Sequence, residues 1–164
     1  MPKHTISVTG HRDMLETESI RQEISAFFDK ELLAFDDITL LSPLATGADT
    51  LVAKIFLEKK EKYPHLELEV PLPFEQSVYE KDFDAESREV FLKYMEQASD
   101  SYVVPRQEEH AYKNLGQYIV KHSDILLALW DGTVNHKEGG TSDVVVFALE
   151  QGCEVKHILV QRKT

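Results

Sequence analysis

Apolar positions along the chain alternate between strand-like runs and helical spacing, and that alternation predicts the architecture before any single residue does. Thr5 to Thr9 is a short β-prone run broken by Gly10-His11-Arg12-Asp13, which reads as a strand entering a polar loop. From Thr17 to Phe35, Ile20, Ile24, Phe27, Phe28 and Leu32 recur at helical spacing among charged residues, the pattern of an amphipathic helix. Ile38 to Leu41 predicts a second strand, and Ser42-Pro43-Leu44-Ala45-Thr46-Gly47 leads into a helix over Ala48 to Lys62 with Leu51, Val52, Ile55 and Phe56 inward. Leu66 to Val70 predicts a third strand. Pro71 and Pro73 each remove a backbone donor, so Pro71 to Phe83 is expected to be a long irregular connection of the kind that often carries function. A helix over Ala85 to Ala98, a fourth strand over Ser101 to Val104 and a helix over Glu108 to His122 follow. The fully apolar run Ile125 to Trp130 predicts a central strand, Thr141 to Gln151 a helix stopped by Gly152, and Val155 to Val160 a last strand.

Strands that alternate with helices imply parallel pairing, because the crossovers parallel strands require place helices over the sheet. The expected fold is therefore α/β: a Rossmann-like three-layer α/β/α sandwich with a mostly parallel sheet of about six strands in the order 3-2-1-4-5-6. No linker, repeat or low-complexity tract interrupts residues 1–164, which predicts one domain. In such sheets ligands bind beyond the carboxyl ends of the strands, so only residues directly after a strand reach the site.

Composition narrows the classes. A hydrophobic fraction of 42% excludes a disordered chain, and a formal charge of −11 opposes direct attachment to nucleic acid or an anionic membrane. A local positive pocket stays compatible with that charge. Cys153 is the lone cysteine, which rules out an internal disulfide, fits a reducing, cytoplasmic setting, and is expected to be a small buried apolar residue. The start of the chain lacks the apolar segment of a signal peptide, and Ile125 to Trp130 is too short to cross a bilayer. His110, His122, His136 and His157 are too scattered for a metal site, and no P-loop, GxGxxG or GxSxG motif occurs; no metal and no cofactor are expected.

Four loops pass the positional test: Gly10 to Asp13, Ser42 to Asp49, Pro71 to Phe83 and Asp131 to Ser142. At Gly139-Gly140-Thr141-Ser142 the glycines allow close backbone approach, and the following helix start attracts an anion, phosphate above all; the alternative is a turn with Thr141 as a helix cap. Thr46-Gly47-Ala48-Asp49 offers a second helix start, where Asp49 either favours the dipole or repels a phosphate. Gly10, His11 and Arg12 follow the first strand, and a guanidinium there suits bidentate phosphate binding as well as it suits a surface ion pair. Asp131 and Gly132 close the apolar strand at the ligand edge, where Asp131 serves a ribose hydroxyl or base amine, or else a turn. Asp124, roughly 20 Å away at the other end of that strand, belongs to the opposite edge. Trp130 is expected in the core, and Tyr79, Phe83 and Glu75 either form a lid or anchor their connection.

In order along the chain, TGHRD, SPLATGADTLVA, VPLPFE, SDILLALWDG and GGTSDVVVFA resemble the SLOG superfamily, and together they span nearly its whole length. That superfamily includes LOG phosphoribohydrolases, molybdenum-cofactor carrier-like proteins, DNA-processing Rossmann domains and bacterial nucleotide sensors. The resemblance implies a Rossmann-like fold and a nucleotide or related phosphorylated ligand. LOG enzymes carry a glutamate three residues beyond the threonine of PGGxGTxxE, and the similar deoxyribosyltransferases carry a nucleophilic glutamate three beyond their GT; here that position is Val144. Asp143 lies one residue off, about 100° around a helix, and does not replace that acid by position.

Three functions compete on these grounds. The first is a nucleotide-binding or sensing module in which the Gly47 and Gly139-Gly140 loops hold phosphate, Arg12 neutralises it and Asp131 orients the sugar or base. The second is an enzyme cleaving the N-glycosidic bond of a nucleoside monophosphate, with Asp143 or Glu75 as an unusually placed carboxylate. The third is a scaffold whose surface helices pair into a homo-oligomer.

Overall fold

The computed structural model describes residues 3–105 and 108–163. Six strands, β1 (Lys3–Gly10), β2 (Asp37–Leu41), β3 (Glu67–Leu72), β4 (Asp100–Val103), β5 (Ile125–Trp130) and β6 (Glu154–Leu159), form one all-parallel sheet in the order β4-β3-β2-β1-β5-β6. The helices are α1 (Glu18–Ala34), α2 (Ala48–Lys59), a single turn α3 (Gln76–Tyr79), α4 (Ala85–Met95), α5 (Ala111–Lys121) and α6 (Thr141–Glu150). Helices α1, α2 and α4 pack over one face of the sheet, and α5 with α6 over the other, giving the expected three layers. No helix among the described residues is long and apolar enough to cross a membrane.

Local chemistry sets the element boundaries. Thr17 caps α1 by accepting the Ile20 amide at 3.2 Å, and Asp84 caps α4 by accepting the Ser87 amide at 2.8 Å. The periodic residues Ile20, Ile24, Phe27, Phe28 and Leu32 are all buried, with Phe28 packed against Phe56 of α2. Burying such a side chain contributes about 1.5–3 kcal/mol, so the apolar stripe rather than intrinsic propensity holds α1 to the sheet. Strand β5 is buried along Ile125 to Leu129, as its unbroken apolar run implies.

Strand order differs from the expectation at one place: the fourth strand pairs with β3 at the sheet edge instead of with β1. Its sequence fits an edge, since Asp100 and Ser101 are exposed while Tyr102 and Val103 are half-buried. The apolar β5 takes the place beside β1.

The connection after β3 is also more ordered than expected, because β3 continues through Pro71 to Leu72 and is followed by α3 and a 3-10 turn, Glu80–Asp82. Glu69 accepts from Ser42 on the β2 side and Leu72 accepts from Val104 on the β4 side, so Pro71 faces the β2 side. The β2 ladder has already ended at Leu41 paired with Glu69, so Pro71 lies beyond its last paired residues. Two further expectations change. Trp130 is half-buried, donating Nε1–H to Thr133 O at 3.0 Å and tilting against His157, and Cys153 is half-buried rather than fully enclosed.

The chain runs from β1 to β4 in one direction across the sheet and then restarts on the other side of β1 with β5. The crevice expected at such a reversal lies between the carboxyl ends of β1 and β5, where Gly10 pairs with Leu129.

Candidate functional site

A cleft of about 490 Å³ opens at that reversal, bordered by the end of β1 with its following loop, the first turns of α2 and α6, the face of α5 from Tyr112 to Ile119, and the 137–140 loop. Of the residues singled out by position, Gly10, His11, Arg12, Asp49, Gly139, Gly140 and Thr141 line it. Thr46, Gly47, Ala48, Asp131, Gly132 and Ser142 are outside its lining, although several of them shape it.

Close backbone approach builds the first wall. A side chain on Gly10 would put a Cβ 2.3 Å from Ala48 Cβ and 2.9 Å from Leu129 O, so α2 starts in contact with the end of β1. Gly47 has φ +82°, and a Cβ there would stand 2.5 Å from Arg12 O. The Ala48 amide donates to His11 O at 3.2 Å, and the Ala45 amide to Asp49 Oδ2 at 3.2 Å. The Gly47 turn therefore spends these amides on the protein itself and grips the loop after β1; it does not present them to a ligand. Thr46 is likewise engaged, accepting from Ser87 of α4 at 3.2 Å.

The second helix start is more open. Gly139, at φ +73°, packs on Tyr112 and Lys113 of α5, where a Cβ would come within 2.8 Å of Tyr112 Cβ. Its amide donates to Asp143 Oδ2 at 3.0 Å, and the Gly140 amide to Lys137 O at 3.0 Å. Gly140 supplies no side-chain cap, so the first-turn amides from Thr141 onward lack an intrahelical acceptor and Thr141 faces the cleft. Ser142 turns away, accepting the Asn135 amide at 3.2 Å and donating to Asn135 Oδ1 at 3.1 Å, which closes the 135–142 loop.

Charge in the cleft is sorted by pairing. Asp13 pairs with Arg162 at 2.9 Å, and that hydrogen bond, more than any other influence, holds its carboxyl below the ordinary value. Glu138 pairs with His110, and Asp82 accepts from Tyr112. Burial first, then the Asp82 contact, pushes the Tyr112 phenol up to about 12. Arg12 and Lys137 have no carboxylate partner among the described residues. The Arg12 guanidinium sits 5.8 Å from the ring centroids of both Phe83 and Tyr112, held by cation–π attraction without being neutralised. Asp49 is buried and lines the cleft, and desolvation raises its carboxyl to about 7 against the opposing pull of the Ala45 amide and Arg12.

Asp131 makes a turn and orients a neighbour. Its Oδ1 accepts the Thr133 amide at 2.9 Å, the main reason its carboxyl is held below the ordinary value. The same residue meets buried His11: its amide lies 3.2 Å and its Oδ1 3.3 Å from His11 Nε2, so either tautomer of the ring is accommodated. Asp124, at the amino end of β5, accepts the Thr5 amide at 2.8 Å on the opposite edge. Tyr79 and Phe83 are buried against Phe91 and anchor their connection, and Tyr79 donates to Pro43 O at 3.1 Å.

The two carboxylates suggested as catalytic are outside the cleft lining: Glu75 is exposed at the start of α3, and Asp143 is bonded to the Gly139 amide. Val144, at the position of the LOG glutamate, is buried and lines the cleft as a hydrocarbon. It packs against Gly116, where a Cβ would fall 2.7 Å from Val144 Cγ2. Among the described residues, no group of three or more His, Cys, Asp or Glu side chains could hold a metal ion.

Position after a strand did not identify Tyr112 or Arg162, because they reach the cleft from a helix and the C-terminal segment, whereas Asp82 lies within the Pro71 to Phe83 connection already singled out. Lys137 was open to discovery as a basic residue inside a loop already singled out. Tyr112 had no local signal, since only the packing of α5 beside α6 turns it inward.

Fold and cleft together define a Rossmann-like α/β protein with its crevice at the carboxyl edge of a parallel sheet. The chain belongs to the YspA SLOG family (YpsA), whose model matches residues 8–161. Among solved structures it is similar to TM1055, described as an X-ray structure from a structural genomics consortium, with a TM-score of 0.54 at 12% identity over 93% of this chain and 72% of that one. At that identity the likeness speaks for the fold alone. No curated protein matches the chain.

Proposed function

We propose that the cleft binds a nucleotide or phosphorylated nucleoside, with the phosphate lying between Arg12, Lys137 and the open first turn of α6 at Thr141. The observation that carries this reading is the presence of two cations without carboxylate partners beside a helix start, in a chain of net charge −11. The guanidinium supplies a planar fork for phosphoryl oxygens, and the rings of Tyr112 and Phe83 keep it in place. Leu115, Ile119 and Val144 give the other side of the cleft an apolar surface suited to a base. The amides of the Gly47 turn have no part in this binding; that turn acts by holding the Arg12 segment. Family membership supports the reading without naming a ligand, and the reading requires no catalytic acid.

Calorimetric titration with adenosine, AMP, ADP and the corresponding guanine compounds tests it. Phosphorylated compounds are expected to bind more tightly than their nucleosides, with affinity falling as salt rises. Losing one charge-assisted contact is worth about 1.5–3 kcal/mol, so Arg12→Ala and Lys137→Ala are each expected to weaken binding by about tenfold to a hundredfold. No binding of any nucleotide at millimolar concentration would overturn the proposal.

A further inference from the structure

The first turn of α2 brings a carboxyl group into the same cleft, and the phosphate reading leaves that group without a task. Asp49 Oδ2 is fixed by the Ala45 amide at 3.2 Å, while Oδ1 has no donor among the described residues. Every fully buried side-chain nitrogen or oxygen of the described residues has a hydrogen-bond partner, so an unpartnered Oδ1 on this buried residue is not fully enclosed, and the space the residue borders is the cleft. The charged and titratable groups that face Asp49 are Arg12, from the loop after β1, and Tyr79, from α3. Arg12 does not come within ion-pair distance, and the Tyr79 hydroxyl is committed to Pro43 O and kept neutral by burial. Of the other cleft carboxylates, Asp13, Asp82 and Glu138 are partnered by Arg162, Tyr112 and His110.

We propose that Asp49 meets the ligand as a protonated acid, donating from Oδ1 to a phosphoryl oxygen, so that ligand and proton bind together. This rests on the phosphate reading above. A carboxylate beside a phosphate would repel it, whereas a neutral carboxyl adds a donor where Arg12 and Thr141 approach from other sides. Burial, opposed by the Ala45 amide and Arg12, leaves the group at about 7 without ligand, and an anion in the cleft raises it further, so the proton comes from solvent as the ligand enters. The proton transferred stays on Asp49 and returns to solvent on release. If Asp49 instead received a ribose hydroxyl, it would stay ionised and no proton would be taken up.

The test is calorimetric titration of the full chain and of Asp49→Asn with sulfate, which does not titrate near neutrality, and with AMP, each in two buffers of different ionisation enthalpy. For the natural chain, sulfate affinity is expected to fall by up to tenfold per pH unit above about 7, with up to one proton taken up per ligand bound. Asp49→Asn, whose amide also donates but does not titrate, is expected to bind sulfate with little pH dependence. With AMP, whose own phosphate titrates, uptake is expected to be larger for the natural chain than for the variant. Binding by the natural chain with no excess proton uptake over Asp49→Asn overturns this proposal and leaves the phosphate reading standing. Failure of both sulfate and AMP to bind the natural chain at about pH 6 overturns both.

Discussion

Replacing Asp49 by asparagine should change how stability depends on pH, even with no ligand present. Folding raises this carboxyl from 3.8 to about 7 through burial, a shift of about 3 units and hence about 4 kcal/mol against the ionised form. A group whose value is raised in the folded state contributes most at low pH, and that contribution declines from the unfolded value until pH passes the folded one. Between about pH 5 and pH 8 the natural chain should lose about 2–3 kcal/mol relative to Asp49→Asn, on the order of 5–10 °C in melting temperature for a chain of this size. The asparagine carbonyl still accepts from the Ala45 amide, so the comparison isolates the charge. Asp13, Asp84 and Asp131 are held below the ordinary carboxylate value, and their contributions are lost only at lower pH, outside this window. All other titratable groups are common to both proteins, so their contributions cancel in the difference. Urea denaturation followed by circular dichroism across the range reads the difference directly. Parallel curves, or a natural chain that gains on the variant as pH rises, would refute the reasoning.

Gly47→Ala is expected to destabilise by about 2–3 kcal/mol in the same assay, because the new methyl meets Arg12 O at 2.5 Å and the residue sits at φ +82°; a loss under about 0.5 kcal/mol would show that the loop after β1 yields freely. Thr17→Ala removes the acceptor of the Ile20 amide and is expected to cost about 1 kcal/mol of unfolding free energy, while Thr17→Ser is expected to restore most of it.

Periodicity located α1 almost to the residue because its ends are chemical as well as periodic: Thr17 and Phe35, where the pattern begins and stops, are its two caps. The place of β4 was not legible, since strand order follows from which crossover can cover which face, and no property of Asp100 to Val103 states that alone. Proline in β3 misled for a related reason: Pro71 breaks a ladder only if a neighbour stands opposite, and β2 has ended there. In the cleft, Arg12 and Thr141 followed from position after a strand or at a helix start. The distinction between the two glycine turns did not, because it depends on Ala48 and Ala45 finding acceptors in His11 and Asp49. Asp49 had two readings in sequence, and only its depth of burial shows how strongly the interior opposes its charge.

Gly116 and Val144 together act as a spacer between two helices that wall the crevice. With no methyl at position 116, where a Cβ would stand 2.7 Å from Val144 Cγ2, α5 lies closer to α6 than alanine would permit, and the crevice is correspondingly narrow at its apolar end. Its bore is thereby adjustable at one position: each carbon added there would wedge the helices apart, and trimming Val144 would deepen the slot without touching the cations at its mouth.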